Sequence, residues 1–397
     1  MCHNGVTMGL ATGVNRSCWR LLAYLLSGFW ALTAWAGDFE QGVAAYQSGD
    51  DKAAVLKLRS AAKARDPRAQ FMLGTLYSMG RGVIPNDIEA VRWYRLAASQ
   101  GYAQAQFMLG FHFAAGSGVE RNDTESLRWY RSAAEQGDAA AQLVLGFKHS
   151  AGHGVAADET VAMRWYRSAA EQGLAAAQFT LGLKASEGLG MAKDETEALR
   201  WFRLAAEQGD SAAGLALGDL YRQAKGVGRD DAEALRWYKV SAATGNAAAQ
   251  FALGYMISQG QGAVRDDAEA TRWYRLAAEQ GNAAAQFNLG LQHSAGRGVA
   301  QDYREAARWY LRSAQQGNAD AQYNLALMYS MGRGIGQDDG EAVRWYRQSA
   351  QQGHSAAQHN LGVLHYKGQG LPQNTLKALM WFDIASSSGE KDSVSLR

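Results

Sequence analysis

Cysteine is almost absent from this chain: only Cys2 and Cys18 occur among 397 residues, and both lie in the first 36. Residues 37–397 therefore contain no thiol. This excludes a disulfide framework, a cysteine-based metal site and a cysteine nucleophile from that part of the chain. Such a composition is compatible with an oxidising compartment, but the fold cannot depend on disulfides there.

An excess of charge of either sign is also missing. The chain has 40 Lys and Arg and 38 Asp and Glu, and the first 36 residues contain two of the arginines and no acid. The remaining chain carries 38 charged residues of each sign and is neutral. This balance gives no reason to expect a nucleic-acid partner.

Recognisable catalytic motifs are lacking as well. Gly-x-Gly sequences are frequent, but they follow a helical pattern and no Lys-Ser or Lys-Thr pair comes after them. They are therefore typical of turns and not of phosphate-binding loops. Neither a Gly-x-Ser-x-Gly nor a His-Glu-x-x-His sequence is present. We therefore expect no enzymatic activity, no cofactor and no metal.

The histidines do not indicate a metal site. His149 and His153 are four residues apart, but Gly152 interrupts the helix that would orient them together. His149, His293 and His365 share one position of a repeat described below. Other copies have an aromatic residue there, which favours a packing role: Tyr77, Phe113, Tyr221 and Tyr329.

The first 36 residues resemble a secretory signal peptide. Arg16 and Arg20 precede a 16-residue apolar run, which ends in Ala34-Trp35-Ala36. A basic region, a short apolar run and small residues at the cleavage site predict cutting after Ala36. The run is shorter than the roughly 20 residues of a membrane-spanning helix. We expect an exported protein, periplasmic or secreted, with no stable membrane span after cleavage. Retention of the segment as an anchor, and translation from Met8, stay open.

What the chain does have is a strict repeat. Nine tryptophans recur at intervals of 36 residues without insertion: Trp93, Trp129, Trp165, Trp201, Trp237, Trp273, Trp309, Trp345 and Trp381. A fixed period in this range is the signature of a stacked array of helical hairpins. Such arrays usually bind a ligand along their length and have no single catalytic pocket.

Each repeat predicts two helices. In the copy from Gly281 to Gly317, the first helix begins near Ala283, two loop glycines end it, and Asp302 or a neighbour opens the second helix. Gly317 is the expected C-cap. A Leu-Gly pair recurs in the first helix, and we expect this small residue to receive the tryptophan of the second helix as core.

Both ends of the array differ from its middle, as expected for a solenoid. Residues 37–65 predict a shorter capping hairpin, with Ser48-Gly49-Asp50 in place of the two-glycine loop and no tryptophan. The nine repeats occupy residues 66–389. Residues 390–397 form a polar tail that we expect to fray.

The recurring pattern A-A-Q-F-x-L-G-x-x-x-S-x-G-x-G-V-x-x-D-x-x-E-A-x-R-W-Y-R-x-A-A-E-Q-G resembles the Sel1-like repeat, a relative of the tetratricopeptide repeat. The resemblance implies an all-α fold, a right-handed superhelical solenoid of antiparallel helix pairs. It also implies an adaptor that assembles or regulates protein partners, in bacteria often in the cell envelope. A cysteine-rich subgroup is linked to β-lactam binding, but this chain lacks the cysteines of that subgroup.

The related fold places first helices on a concave surface, where two mostly apolar rows would line a groove. The candidate partner-binding residues are Phe71, Phe107, Phe111, Phe147, Phe179, Leu183, Asp219, Phe251, Tyr255, Phe287, Leu291, Tyr323 and Leu327. If exposed, they form a patch that a monomer rarely leaves without a partner. If they pack between hairpins, they are core, and both interpretations stay open.

An arginine precedes eight of the nine tryptophans and could contact an anionic polymer. Acidic residues keep the same spacing, however, which favours a solvated helix face with i,i+3 and i,i+4 ion pairs. We therefore predict a non-catalytic scaffold of the cell envelope that binds a protein or peptide. A cell-wall or polysaccharide-binding protein is the alternative, and a β-lactam-binding or hydrolysing protein is less favoured.

Overall fold

The computed structural model describes residues 37–395, and describes side chains for residues 37–387. The predicted signal peptide lies outside the described residues. Within them the chain forms twenty α-helices and no strand. The helices group into two compact units, of which the first ends at Gln136 and the second begins at Gly137.

The first unit contains three helix pairs. Its helices are α1 (Asp38–Gln47), α2 (Asp51–Lys63), α3 (Pro67–Met79), α4 (Asp87–Ser99), α5 (Ala103–Ala115) and α6 (Asp123–Glu135).

The second unit contains seven further pairs with the same internal spacing. Its helices are α7 (Ala139–Ala151), α8 (Glu159–Glu171), α9 (Ala175–Glu187), α10 (Glu195–Glu207), α11 (Ser211–Gln223), α12 (Asp231–Ala243), α13 (Ala247–Gln259), α14 (Asp267–Glu279), α15 (Ala283–Ala295), α16 (Tyr303–Gln315), α17 (Ala319–Met331), α18 (Asp339–Gln351), α19 (Ser355–Lys367) and α20 (Thr375–Ser395). In each unit the helices pack in antiparallel pairs, and each pair packs on its neighbour along the chain. The predicted all-α solenoid architecture is confirmed.

Local sequence explains where these helices begin and end. The helix α15 ends at Gly296, whose φ of 67° lies in the left-handed region that favours glycine. Asp302 then begins α16, because its carboxylate accepts hydrogen bonds from the main-chain N–H groups of Arg304 and Glu305. The predicted hairpin of this repeat is therefore confirmed.

The expectation that the Leu-Gly pair receives tryptophan is wrong. A Cβ added to Gly290 would lie 2.6 Å from the ring of Tyr310, the residue after Trp309. The same close approach of glycine to the following aromatic residue recurs at Gly110 and Tyr130. The tyrosine, and not the tryptophan, points from the second helix into its own first helix.

Tryptophan nevertheless contributes to the core. Trp201, Trp237, Trp309 and Trp345 are buried, and the other described copies are partly buried. Trp309 packs in a cluster with residues of the preceding hairpin, such as Tyr274 and Ala270. Tryptophan therefore joins neighbouring hairpins, whereas tyrosine closes its own hairpin.

The second loop glycine has a role that the turn interpretation did not include. A Cβ on Gly298 would collide with the main-chain carbonyl of Asp267, at the beginning of the second helix of the preceding hairpin. Gly262 approaches Asp231 in the same way, and Gly334 approaches Tyr303. This glycine therefore allows close contact between successive hairpins.

The capping hairpin follows the packing of the repeats with smaller residues. Gly42 of α1 lies against the side chain of Leu58, which takes the place of the tyrosine ring. Arg65 occupies the position of the terminal glycine and adopts its left-handed conformation, with a φ of 67°.

The C-terminal end differs from the other repeats, in which a terminal glycine follows the second helix. The helix α20 continues through Gly389 to Ser395. The other terminal glycines precede the first helix of another hairpin, whereas Glu390 and Lys391 continue the helical sequence. No helix among the described residues is long and apolar enough to cross a membrane.

Candidate functional site: the aromatic face

Most of the candidate partner-binding residues lie on one side of the first helices. We call this side of the second unit the aromatic face. Its members are Phe147, Phe179, Leu183, Asp219, Phe251, Tyr255, Phe287, Leu291, Tyr323 and Leu327. In the first unit, Phe107 and Phe111 are partly exposed at the equivalent positions of α5.

Exposure varies along these rows. Phe147, Tyr255 and Leu291 are 37%, 40% and 36% exposed. The remaining apolar members of the aromatic face are partly exposed. Phe71 is only 8% exposed and packs in the core between Tyr94 and Tyr102, so it offers no surface to a partner.

The aromatic residues are held in place by the tyrosines of the second helices. The ring of Phe147 meets Tyr166 edge-on, with the centroids 5.4 Å apart. Phe287 lies 5.9 Å from Tyr310, and Tyr323 lies 5.9 Å from Tyr346. One edge of each ring is therefore packed within its own hairpin. Tyr323 also stacks on His354 at the start of the next hairpin, with the ring centroids 4.6 Å apart.

Serine hydroxyls next to the aromatic face form hydrogen bonds with tyrosines of the second helices. The Oγ of Ser258 lies 3.1 Å from the hydroxyl of Tyr274, and the Oγ of Ser294 lies 3.3 Å from that of Tyr310. Burial raises the pKa of Tyr274 to about 12, so this hydroxyl stays protonated. The sequence shows the recurring serine, but its tyrosine partner could not be identified from spacing alone.

Asp219 is the charged member of the aromatic face, and its partners come from its own hairpin. The hydroxyl of Tyr238 donates to Asp219 at 2.6 Å, and Arg222 donates to the same hydroxyl at 3.2 Å. Burial raises the pKa of the Tyr238 hydroxyl, and Asp219 adds to this effect. The carboxylate and guanidinium thus stand as a pair on an otherwise apolar surface.

A pair of hydrogen-bonded glutamines links each of several first helices to the preceding hairpin. Gln286 donates to the main-chain oxygen of Ala278 in the preceding hairpin at 3.1 Å, and accepts from Gln316 at 2.8 Å. Six other repeats have the same link between their two glutamines. In the repeat that starts at Ser211, both members change together, to Gly214 and Thr244.

The arginines before the tryptophans form the predicted ion pairs. Arg92 lies 3.4 Å from Glu89, and Arg344 lies 2.9 Å from Glu341. The guanidinium of Arg344 also lies over the ring of Trp345, 4.7 Å from its centroid. These contacts confirm the interpretation as a solvated helix face with local pairs.

The histidines of the shared repeat position are buried, as predicted for a packing role: His149, His293 and His365. His293 lies 3.5 Å from Arg275 of the preceding hairpin. Burial lowers the pKa of His293, and Arg275 adds to this effect. Among the described residues, no group of three or more metal-ligating side chains comes together.

A stack of helix pairs with a period of 36 residues defines an α/α solenoid of the tetratricopeptide-like class. The Sel1 repeat family model matches nine consecutive segments, from residues 67–102 to residues 355–390. The chain belongs to the Sel1 repeat family.

Two solved structures are similar over most of the chain. The first is a protective antigen present in uropathogenic Escherichia coli strains, with 33% identity, a TM-score of 0.68, and coverage of 91% of this chain and 88% of the antigen. The second is a Sel1 repeat protein from Oxalobacter formigenes, with 32% identity, a TM-score of 0.60, and coverage of 86% and 99%. A search of curated proteins found no match.

Proposed function

We propose that this protein is a non-catalytic scaffold of the cell envelope, which binds a partner protein through the aromatic face. The observation that carries the proposal is the exposure of large apolar side chains at one repeat position on three of the first helices, α7, α13 and α15. Phe147, Tyr255 and Leu291 are each more than a third exposed, although the same repeats bury other aromatic residues completely. Exposed large apolar side chains that recur at one position of a repeat are typical of a site that a partner covers.

Localisation in the envelope is supported by the sequence alone. The first 36 residues combine two arginines, an apolar run and an Ala-x-Ala site, and residues 37–397 contain no cysteine. Such a chain can fold after export without disulfide formation. Fractionation of cells with an antibody against residues 37–397 tests this part of the proposal, since a protein retained in the cytoplasm at full length contradicts it.

Site-specific photo-crosslinking in cells tests the partner-binding surface. A benzophenone side chain replaces Tyr255 or Leu291 on the aromatic face, and Leu276 in the control. Leu276 lies on a second helix and is 45% exposed, so it matches the probes in exposure but not in location. We expect one discrete protein adduct from both aromatic-face probes and none from Leu276.

Two results would contradict the proposal. Equal adducts from both surfaces would indicate non-specific contact. Absence of any adduct from the aromatic face would return its side chains to a purely structural role. A cell-wall glycan attached to the probes, with no protein, would instead favour the polysaccharide-binding alternative.

A further inference from the structure

The first unit contains a cavity of about 410 Å³ between the end of α4 and the loop that joins α5 to α6. The residues that line it are Arg95, Phe113, Val119, Glu120, Arg121 and Asn122. Phe113 follows Phe111 by two positions, so the two side chains point in directions about 200° apart around the axis of α5. The cavity is therefore separate from the candidate partner-binding position at Phe111.

The guanidinium of Arg95 lacks the hydrogen-bond acceptor that its counterparts in other repeats have. At the position of Phe113, three other repeats have a tyrosine or histidine that bonds to the arginine of the preceding hairpin. These pairs are Arg59 with Tyr77 at 2.8 Å, Arg203 with Tyr221, and Arg275 with His293 at 3.5 Å. Phe113 offers no polar atom, and Arg95 lies over its ring, 5.9 Å from the centroid.

No acidic residue replaces the missing acceptor. Arg167, which faces an alanine at the same repeat position, pairs with Glu197 of the next hairpin at 3.2 Å. The counterpart of that acid near Arg95 is Glu125, which pairs with Arg128 instead. Within residues 37–387, Arg95 thus forms no ion pair and no hydrogen bond through its side chain.

Glu120 is the second departure from the repeat in this cavity. The other eight repeats have an uncharged residue at its position: Ile84, Ala156, Ala192, Gly228, Val264, Ala300, Gly336 and Pro372. Glu120 is exposed and forms no ion pair with any residue that the structure describes. The neighbouring Arg121 pairs with Asp123 at 3.2 Å. One cation and one anion without partners, Arg95 and Glu120, therefore line the same cavity.

We propose that this cavity binds a small zwitterion with an apolar side chain, either a free α-amino acid or a dipeptide. The planar guanidinium of Arg95 presents paired N–H donors that match the geometry of a carboxylate. The carboxylate of Glu120 accepts hydrogen bonds from the ammonium group, and Phe113 and Val119 contact the apolar side chain. A ligand with only one charge would also meet a group of its own sign, which opposes binding. The volume lies in the range of small-molecule sites, roughly 300–1,000 Å³.

Isothermal titration calorimetry of the purified protein tests the proposal. The probes are L-leucine and L-leucyl-L-leucine, whose two charges differ in separation. Each probe is paired with its N-acetyl derivative, which lacks the ammonium group, and its C-terminal amide, which lacks the carboxylate. We expect at least one zwitterion to bind, and both of its derivatives to bind about 10- to 100-fold more weakly, because each loses a charged hydrogen-bonding group. The tighter of the two zwitterions distinguishes a free amino acid from a dipeptide.

Phe113→Tyr is the most specific variant. It gives Arg95 the hydroxyl acceptor that Tyr77 and Tyr221 give to their arginines, so the guanidinium is occupied without a change of fold. We expect zwitterion binding to weaken about 10-fold or more, while the unfolding temperature stays equal or rises. Arg95→Gln should weaken binding to a similar extent.

Glu120→Gln tests the other end of the ligand. It should weaken binding of the zwitterion but not of its N-acetyl derivative, because only the zwitterion carries an ammonium group. Arg167→Gln is the matched control, since it removes an arginine at the repeat position of Arg95 but outside the cavity. We expect it to leave the affinity unchanged.

Three results would overturn the proposal. The first is that neither zwitterion binds at concentrations up to about 10 mM. The second is that the derivatives bind as tightly as the zwitterions. The third is that Phe113→Tyr and Arg95→Gln leave the affinity unchanged, or that Arg167→Gln lowers it equally. The crosslinking of a partner to the aromatic face depends on none of these outcomes, so this proposal and the scaffold function can fail separately.

Discussion

At the scale of single residues, Ala224 departs from the two-glycine loop of the other repeats. It ends α11 in the left-handed region with a φ of 56°, where the other repeats have glycine. A side chain in this conformation costs roughly 1–2 kcal/mol, partly offset because alanine loses less entropy on folding than glycine. We expect Ala224→Gly to raise the free energy of unfolding by about 1 kcal/mol, measured by urea denaturation.

Gly260→Ala is the control for this prediction. Gly260 has a φ of 68°, and an added Cβ would meet no atom closer than 3.6 Å. Its substitution therefore adds conformational strain without a collision, and should destabilise by about 1 kcal/mol. If Ala224→Gly leaves stability unchanged or lowers it, backbone strain at position 224 does not reduce the stability of the protein.

The buried histidines predict a pH dependence of stability. Burial lowers the pKa of His112, His293 and His365 below the ordinary value of 6.5. The unfolded chain therefore binds more protons on acidification than the folded one. The contribution of these histidines to the free energy of unfolding is fully present above pH 6.5. It is lost as the pH falls from 6.5 towards the pKa values that the histidines have in the folded protein. Carboxylates with lowered pKa values, such as Asp66, act only at lower pH.

The double variant His293→Tyr, His365→Tyr tests this assignment. Tyr221 and Tyr329 occupy the same repeat position, so a tyrosine ring fits there. We expect the variant to lose less stability than the unaltered protein between about pH 6.5 and pH 5. Thermal unfolding across this range is the measurement. Parallel curves for the two proteins would show that these histidines do not determine the acid sensitivity.

At the scale of helices, the glutamine pair joins three elements. Gln286 of α15 bonds to the end of α14 and accepts from Gln316, which follows α16. Each hydrogen bond contributes about 0.5–1.5 kcal/mol, and removal of one partner leaves the other unsatisfied. We expect Gln286→Ala to cost about 1–2 kcal/mol and Gln316→Ala about 0.5–1 kcal/mol.

A double-mutant cycle separates this link from general packing. The double variant should lose about 0.5–1 kcal/mol less than the sum of the single losses, because each single change already breaks the shared bond. The repeat with Gly214 and Thr244 shows that both residues can change together. Strict additivity of the two substitutions would contradict a direct coupling between the glutamines.

The bounds of the helices were predictable because the residues that begin and end a helix act locally. The glycines at helix C-termini and the Asp or Asn at N-caps act within one turn, so the hairpin around Gly296 and Asp302 follows from sequence. The aromatic residue that packs on Gly290 could not be predicted from the sequence. Trp309 and Tyr310 are adjacent on the second helix, and their side chains point in directions only about 100° apart around the helix axis. Which one faces inward depends on the packing of the whole hairpin. The exposure of the aromatic face likewise depends on how neighbouring hairpins stack.

At the scale of the whole molecule, cohesion within the second unit depends on contacts between neighbouring hairpins. Its helices pack on the next helices along the chain, so stability is approximately a sum of hairpin terms and nearest-neighbour terms. Gly298, in the loop of its hairpin, contributes to a nearest-neighbour term. A Cβ there would meet the main chain of Asp267 and Ala268 in the preceding hairpin.

The substitution Gly298→Ala should therefore weaken one hairpin interface within the second unit. The backbone of α14 cannot move aside as a flexible side chain could, so we expect a loss of about 1–3 kcal/mol, as for other overpacked sites. Gly296→Ala is the matched control, because both glycines have a φ of 66–67°, but the nearest atom to a Cβ at position 296 is the side chain of Gln301 at 3.2 Å. Because the backbone strain is equal in the two variants, the additional loss of stability in Gly298→Ala measures how far the hairpin interface is weakened. In hydrogen exchange, we expect the hairpins on either side of this interface to unfold in separate steps in Gly298→Ala and together in Gly296→Ala. If both variants unfold in the same way, this glycine does not couple neighbouring hairpins.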